Sequence, residues 1–171
     1  MTWEDKDQEF TSITNKGTLT IGQATGTTET FVGDITNLGT LTLQATVGTV
    51  TNGSATTPVN NTAVVTLKKG TITTLTNNAV VNVEGTVTVT TLTNNYTVEV
   101  KSGTLNTAGS SSINTGNITV AKDATWVVDG TSFTNSGSTD SASAGLITNN
   151  GKITVNGAFT NAKTTAATAS K

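Results

Sequence analysis

The sequence has no cysteine, no histidine and no arginine, a single proline at Pro58 and few aromatic residues, and only 12% of its 171 positions are charged. The absence of cysteine excludes disulfide staples, thiolate metal ligands and cysteine nucleophiles. The absence of histidine removes the commonest general base and metal ligand. Without arginine there is no bidentate reader of guanine and no fork for the carboxylate of an acidic sugar. Nine lysines stand against 11 acidic residues, for a net charge of -2. That balance leaves no basic footprint for nucleic acid or for an anionic membrane surface. No apolar run approaches the ~18 residues of a membrane-spanning helix, so membrane insertion is not expected. The opening MTWEDKDQEF has neither a basic segment nor an apolar stretch and does not read as a signal peptide.

What the chain does contain is 43 threonines and 18 asparagines beside many Val, Ile and Leu. Threonine is β-branched and fits a pleated surface, so the composition is that of an uncharged β-protein and not of a charged disordered one. Helix has no support, because Gly or Asn interrupts the chain every few residues and no window keeps a 3.6-residue apolar spacing. The period is two. In GTLTI, Leu19 and Ile21 share one face and Thr18 and Thr20 the other, and GTLTL repeats this with Leu41 and Leu43.

Before the strands come related turns: ITNKG from Ile13, ITNLG from Ile35, FTNSG from Phe133 and ITNNG from Ile147, with INTGNITV from Ile113 as a looser copy. Asn and Gly tolerate positive φ, so each unit reads as an apolar anchor, a tight turn and a strand. Asn60, Asn77 and Asn94 fall 17 residues apart, and Gly17 and Gly39 fall 22 apart. Units this short cannot bury an apolar face alone and must stack on their neighbours. An offset of 17 residues lays Val81 on Val98, Val83 on Val100 and Asn77 on Asn94, and places Glu84 over Lys101. The preceding unit, VVTLKKG, fits VVNVEG only after a one-residue shift, which belongs at a corner. The fold class expected is all-β, a single parallel β-solenoid of the right-handed β-helix type, with about seven to nine rungs of about 17–22 residues.

The recurrent ITNxGTLT(I/L) and ITNNGKITV resemble the rungs of bacterial surface β-solenoids, the passenger regions of autotransporters and filamentous-haemagglutinin-like adhesins, and similar Thr/Asn-rich repeats of surface layers. The resemblance covers roughly residues 13 to 160. It implies an extracellular, cell-surface structural protein: a self-assembling subunit or a segment of a fibre, adhesin or surface layer. Its partners would be copies of itself, and host or cell-surface glycans.

Other chemistry finds less support. The Thr-x-Thr elements at Thr18, Thr40, Thr71, Thr86 and Thr91 would form an ice- or glycan-binding array if they shared a flat face, but outward threonine is what β-propensity supplies by itself, and the copies are unevenly spaced. A polysaccharide-degrading β-helix needs paired carboxylates or a positioned base. Asp34, Glu84, Glu99, Asp123 and Asp129 are scattered without a repeating partner, so neither a catalytic nor a metal site is expected, and no cofactor. The chain divides into an N-terminal cap or docking arm over 1–12, the solenoid over 13–161, and a flexible or strand-donating tail over 162–171. The arm carries four of the 11 acidic residues, with Trp3 and Phe10 as apolar ends that would dock on a neighbouring subunit in a head-to-tail assembly.

Overall fold

Parallel pairing with a constant apolar register turns this chain into a three-sided coil. The structure, a computed structural model, describes residues 2–3, 11–26, 28–31, 33–55, 62–137 and 145–162. β1 (Thr2–Trp3) and β2 (Ser12–Asn15) start the stack. The first complete coil is β3 (Thr18–Gly22), β4 (Glu29–Phe31) and β5 (Asp34–Asn37), one strand to each face. Three coils follow in which a single bent strand crosses all three faces: β6 (Thr40–Asn52), β7 (Val64–Asn77) and β8 (Val80–Asn94). The next is β9 (Thr97–Val100), β10 (Thr104–Thr107) and β11 (Ser112–Asn114). Above it lie β12 (Asn117–Val120), β13 (Thr125–Val128) and β14 (Phe133–Asn135). The last is β15 (Leu146–Asn149), β16 (Lys152–Val155) and β17 (Phe159–Asn161). Every strand pairs in parallel with the strand one coil away, so the seven complete coils make a stack of about 30–35 Å.

The period of two puts alternate residues into the lumen. On the first face Leu19, Leu41, Val65, Val81, Val98 and Ile118 form one inner column, and all six are buried. On the third face the inner column runs through Ile13, Ile35, Val50, Leu75 and Leu92, then Ser112, Phe133 and Phe159. Val81, Val83, Val87, Val89, Val98 and Val100 are each at most 2% exposed, as the alternation predicts. Each such side chain contributes roughly 1.5–3 kcal/mol by leaving water. Two polar intruders are paired: the Ser112 hydroxyl accepts from the Leu92 N–H at 3.0 Å, and Trp126 Nε1 donates to Thr107 Oγ1 at 3.2 Å. Trp126 meets Phe133 edge-on at 4.9 Å, and Phe133 stacks on Phe159 at 5.6 Å.

The 17-residue register holds for Val81 on Val98 and Val83 on Val100, but the coils are less uniform than the expected 17–22 residues. Successive asparagines at one corner are separated by 22, 15, 25, 17, 20, 21 and 26 residues. The variation sits in corner loops, which face solvent and leave the pairing intact. The one-residue shift between β7 and β8 is also at a corner, between Leu67 and Lys69, although the extra residue belongs to β8 and not to VVTLKKG. Asn77 stacks on Asn52; Asn60, 17 residues before it, lies outside the described residues. Lys101 pairs with Glu99 at 3.7 Å; Glu84, the expected partner, is exposed at the end of the first face of its coil. Thr2–Trp3 pairs in parallel with Thr20–Ile21.

Candidate functional site

The corner after the third face is built from one repeated triplet, an inward residue, an outward residue and an asparagine. Seven copies read apolar-Thr-Asn, ending at Asn15, Asn37, Asn52, Asn77, Asn94, Asn135 and Asn161; the eighth, Ser-Ile-Asn, ends at Asn114. The asparagine side chains turn into the coil and hydrogen-bond one to the next, with Nδ2 to Oδ1 distances of 2.7–2.9 Å. Asn77 illustrates a complete set. Its Oδ1 accepts from Asn52 Nδ2 and from the Ala79 N–H, and its Nδ2 donates to Asn94 Oδ1 and to the Thr97 carbonyl. All four hydrogen-bonding positions of the amide are used, which is what lets a polar group lie fully buried.

These asparagines were expected as turn residues with positive φ. Among the described non-glycine residues only Asp123 has positive φ, at 66°, so the corner uses asparagine for its side-chain amide instead. The signal was present in the sequence as the recurrence of x-Thr-Asn, but VTN at Asn52 has its glycine one residue earlier than the ITNxG turn pattern and FTN at Asn161 has none. The same pattern misplaces ITNNG. Ile147 stacks on Ile118 of the first face, and Asn149 stacks on Val120 outside the ladder. Ile113 is likewise no inward anchor, because it aligns with Thr93 and leaves Ser112 inside.

Outward on the third face, Thr49, Thr74 and Thr91 form one column, and Thr51, Thr76 and Thr93 a second. Strand geometry spaces them about 4.8 Å along the stack and about 6.6 Å across it, as an uncharged grid of hydroxyl and methyl groups. The second column extends to Thr14 and Thr36, and resumes with Thr134 and Thr160 beyond Ile113. Of the threonines expected in an array, Thr91 lies here. Thr18 and Thr40 stack on the first face, whereas Thr71 and Thr86 belong to the second.

The C-terminal end is apolar and open. Ile147, Ile153 and Phe159, one from each face, are only partly covered, and with Trp126 and Asn161 they line a cavity of about 470 Å³. Leu146 and Val155 beside them are 51% and 48% exposed. At the other end the Trp3 backbone pairs with Ile21, and its side chain and Phe10 lie outside the described residues, as does the tail beyond Ala162.

The carboxylates do not converge. Asp34 begins β5, Glu84 lies within β8 and Glu99 within β9. Asp123 turns between β12 and β13, beside Lys122 and Lys152 in a shallow groove. Asp129 follows β13 and accepts from Asn156 Nδ2 at 2.6 Å. Among the described residues no three acidic groups come together as a metal cluster. Compared with protein-family models, with curated proteins and with solved structures, the chain matches none.

Proposed function

We propose that the chain is an extracellular structural protein, a self-assembling subunit or segment of a surface fibre, adhesin or surface layer. The observation that carries this reading is the contrast between the flanks and the end. The flanks are covered by threonine and asparagine with scattered charge, whereas the last coil presents Leu146, Ile147, Ile153, Val155 and Phe159 to solvent around an open cavity. Apolar side chains and unpaired strand edges together at one end of a stack are what further strands or a further subunit would cover. The joint would lie at the opposite end of the stack, where β1 pairs with β3. Negative-stain microscopy of the purified chain across a concentration series tests this: fibres or ordered sheets are expected, and uniformly single particles at high concentration overturn it.

A second reading is favoured by the grid formed by Thr49, Thr51, Thr74, Thr76, Thr91 and Thr93. The objection from uneven sequence spacing loses its force, because the extra residues lie in corner loops and the columns themselves are regular. Such a grid would suit an ordered surface, ice or the face of a packed glycan. Thermal hysteresis and sedimentation with an insoluble polysaccharide are the measurements. No effect in either removes this reading and leaves the structural one standing.

A further inference from the structure

The asparagine ladder has a direction. At each link the Nδ2 of one coil donates to the Oδ1 of the coil that follows it, from Asn15 to Asn37 and onward to Asn135 and Asn161. Within the stack the Oδ1 atoms of Asn37, Asn77 and Asn94 each accept from two donors: that of Asn37 accepts from Asn15 and from the Gly39 N–H. Asn15 is 7% exposed, and among the described residues its Oδ1 accepts only from the Gly17 N–H. Asn161 accepts from Asn135, and its own Nδ2 has no acceptor among the described residues. Among the described residues the ladder therefore ends in an unused donor at the C-terminal coil and an unused lone pair at the N-terminal one.

We propose that the ladder continues between molecules: the C-terminal coil of one copy stacks on the N-terminal coil of a second copy, with Asn161 Nδ2 donating to Asn15 Oδ1 across the joint. This rests on the self-assembly reading and names its contact. On the third face the two edges correspond residue for residue. Phe159, Thr160 and Asn161 would lie on Ile13, Thr14 and Asn15, in the order apolar, threonine, asparagine that pairs Ile13 with Ile35 and Asn15 with Asn37 inside the chain. Ile13 and Phe159 are both only partly buried, so each leaves apolar surface for the other to cover. Gly17 is a third sign. A Cβ on Gly39 would lie 2.2 Å from the Gly17 carbonyl oxygen, so glycine at that corner admits the coil beneath. Gly17 occupies the same corner at the start of the stack, and a Cβ there meets nothing within 4 Å. The free acceptor, the free donor and the matching register all belong to one sequence, which points to a second copy as the occupant. Because the contact joins different surfaces, it propagates into a filament.

Sedimentation velocity on the full chain over a concentration series tests the joint with two variants. Asn161→Asp keeps the acceptor for Asn135 and sets a carboxylate oxygen against Asn15 Oδ1. Gly17→Ala adds a methyl where the monomer has room. Thermal melts below the association range should match wild type for both. Wild type should form end-to-end oligomers, and each variant alone should associate at least about tenfold more weakly, the value of one ordinary hydrogen bond. A mixture should restore dimers and nothing longer, because Asn161→Asp retains a sound N-terminal edge and Gly17→Ala a sound C-terminal one. Wild-type oligomers that persist unchanged in both variants overturn this joint while self-assembly stands. A wild type that stays monomeric overturns both.

Discussion

Asparagine serves this chain because one short side chain carries two donors and two acceptors, and a coil corner supplies a partner for each. The structure consequently predicts an unusual ranking for two adjacent residues. Asn77→Ala strands the Asn52 amide, the Asn94 oxygen and the Ala79 N–H in a buried corner, and should cost about 2–4 kcal/mol at a site with no aliphatic packing to lose. Thr76→Ala, one residue away on the outer face, should stay within about 0.5 kcal/mol. Urea unfolding of the two variants checks the ranking, and equal costs would contradict a stabilising ladder. Glycines divide in the same way. Gly39→Ala forces a methyl against the Gly17 backbone and should destabilise by about 1–3 kcal/mol, while Gly17→Ala should be near neutral in the monomer.

Within each element, alternation decides which side of the chain the lumen takes. Val81 is 1% exposed and lies between Val65 and Val98, so Val81→Asp places an unpaired charge among side chains that cannot solvate it. Loss of the cooperative transition is expected by circular dichroism. Val80→Asp, on the outer side of the same strand, should still melt cooperatively within a few degrees of wild type. An intact melt for Val81→Asp would refute the register of β8 and its neighbours. β6, β7 and β8 turn the corners without a break, whereas the coils on either side are divided into three short strands, so the centre of the stack has the longest uninterrupted pairing.

For the whole molecule, stability should follow nearest-neighbour contact between coils, because each coil touches only the one before and the one after. Amide hydrogen exchange on the monomer should be slowest in β6–β8, which are covered on both sides, and fastest in β15–β17, which are covered on one side only and hold Leu146 and Val155 in solvent. Uniform protection from end to end would mean that the stack opens all at once, and would remove the physical basis for an adhesive C-terminal edge. Filament conditions should slow exchange selectively in β17 and β2, the strands placed at the proposed joint.

The class of fold was legible in the sequence, because the forces behind it are local. Alternation of Leu19, Thr20 and Ile21 fixes a strand and its inner side, β-branched residues favour the pleat, and repeats too short to bury themselves must stack. Even the pairing of Val81 with Val98 could be read from the 17-residue offset. The tertiary structure decided which repeat stands on which face. ITN at Ile13 and ITN at Ile147 are identical triplets, yet one ends in the ladder and the other lies on the first face, because a triplet's place depends on how many residues the preceding loops have consumed. That sum is a property of the whole coil and is absent from any window. The role of asparagine was hidden for the same reason. A buried amide is favourable only when a partner from another coil lies 2.7–2.9 Å away, and the partner of Asn52 is 25 residues along the chain. Composition and period specify a solenoid; long-range register gives it a polar ladder with two unequal ends.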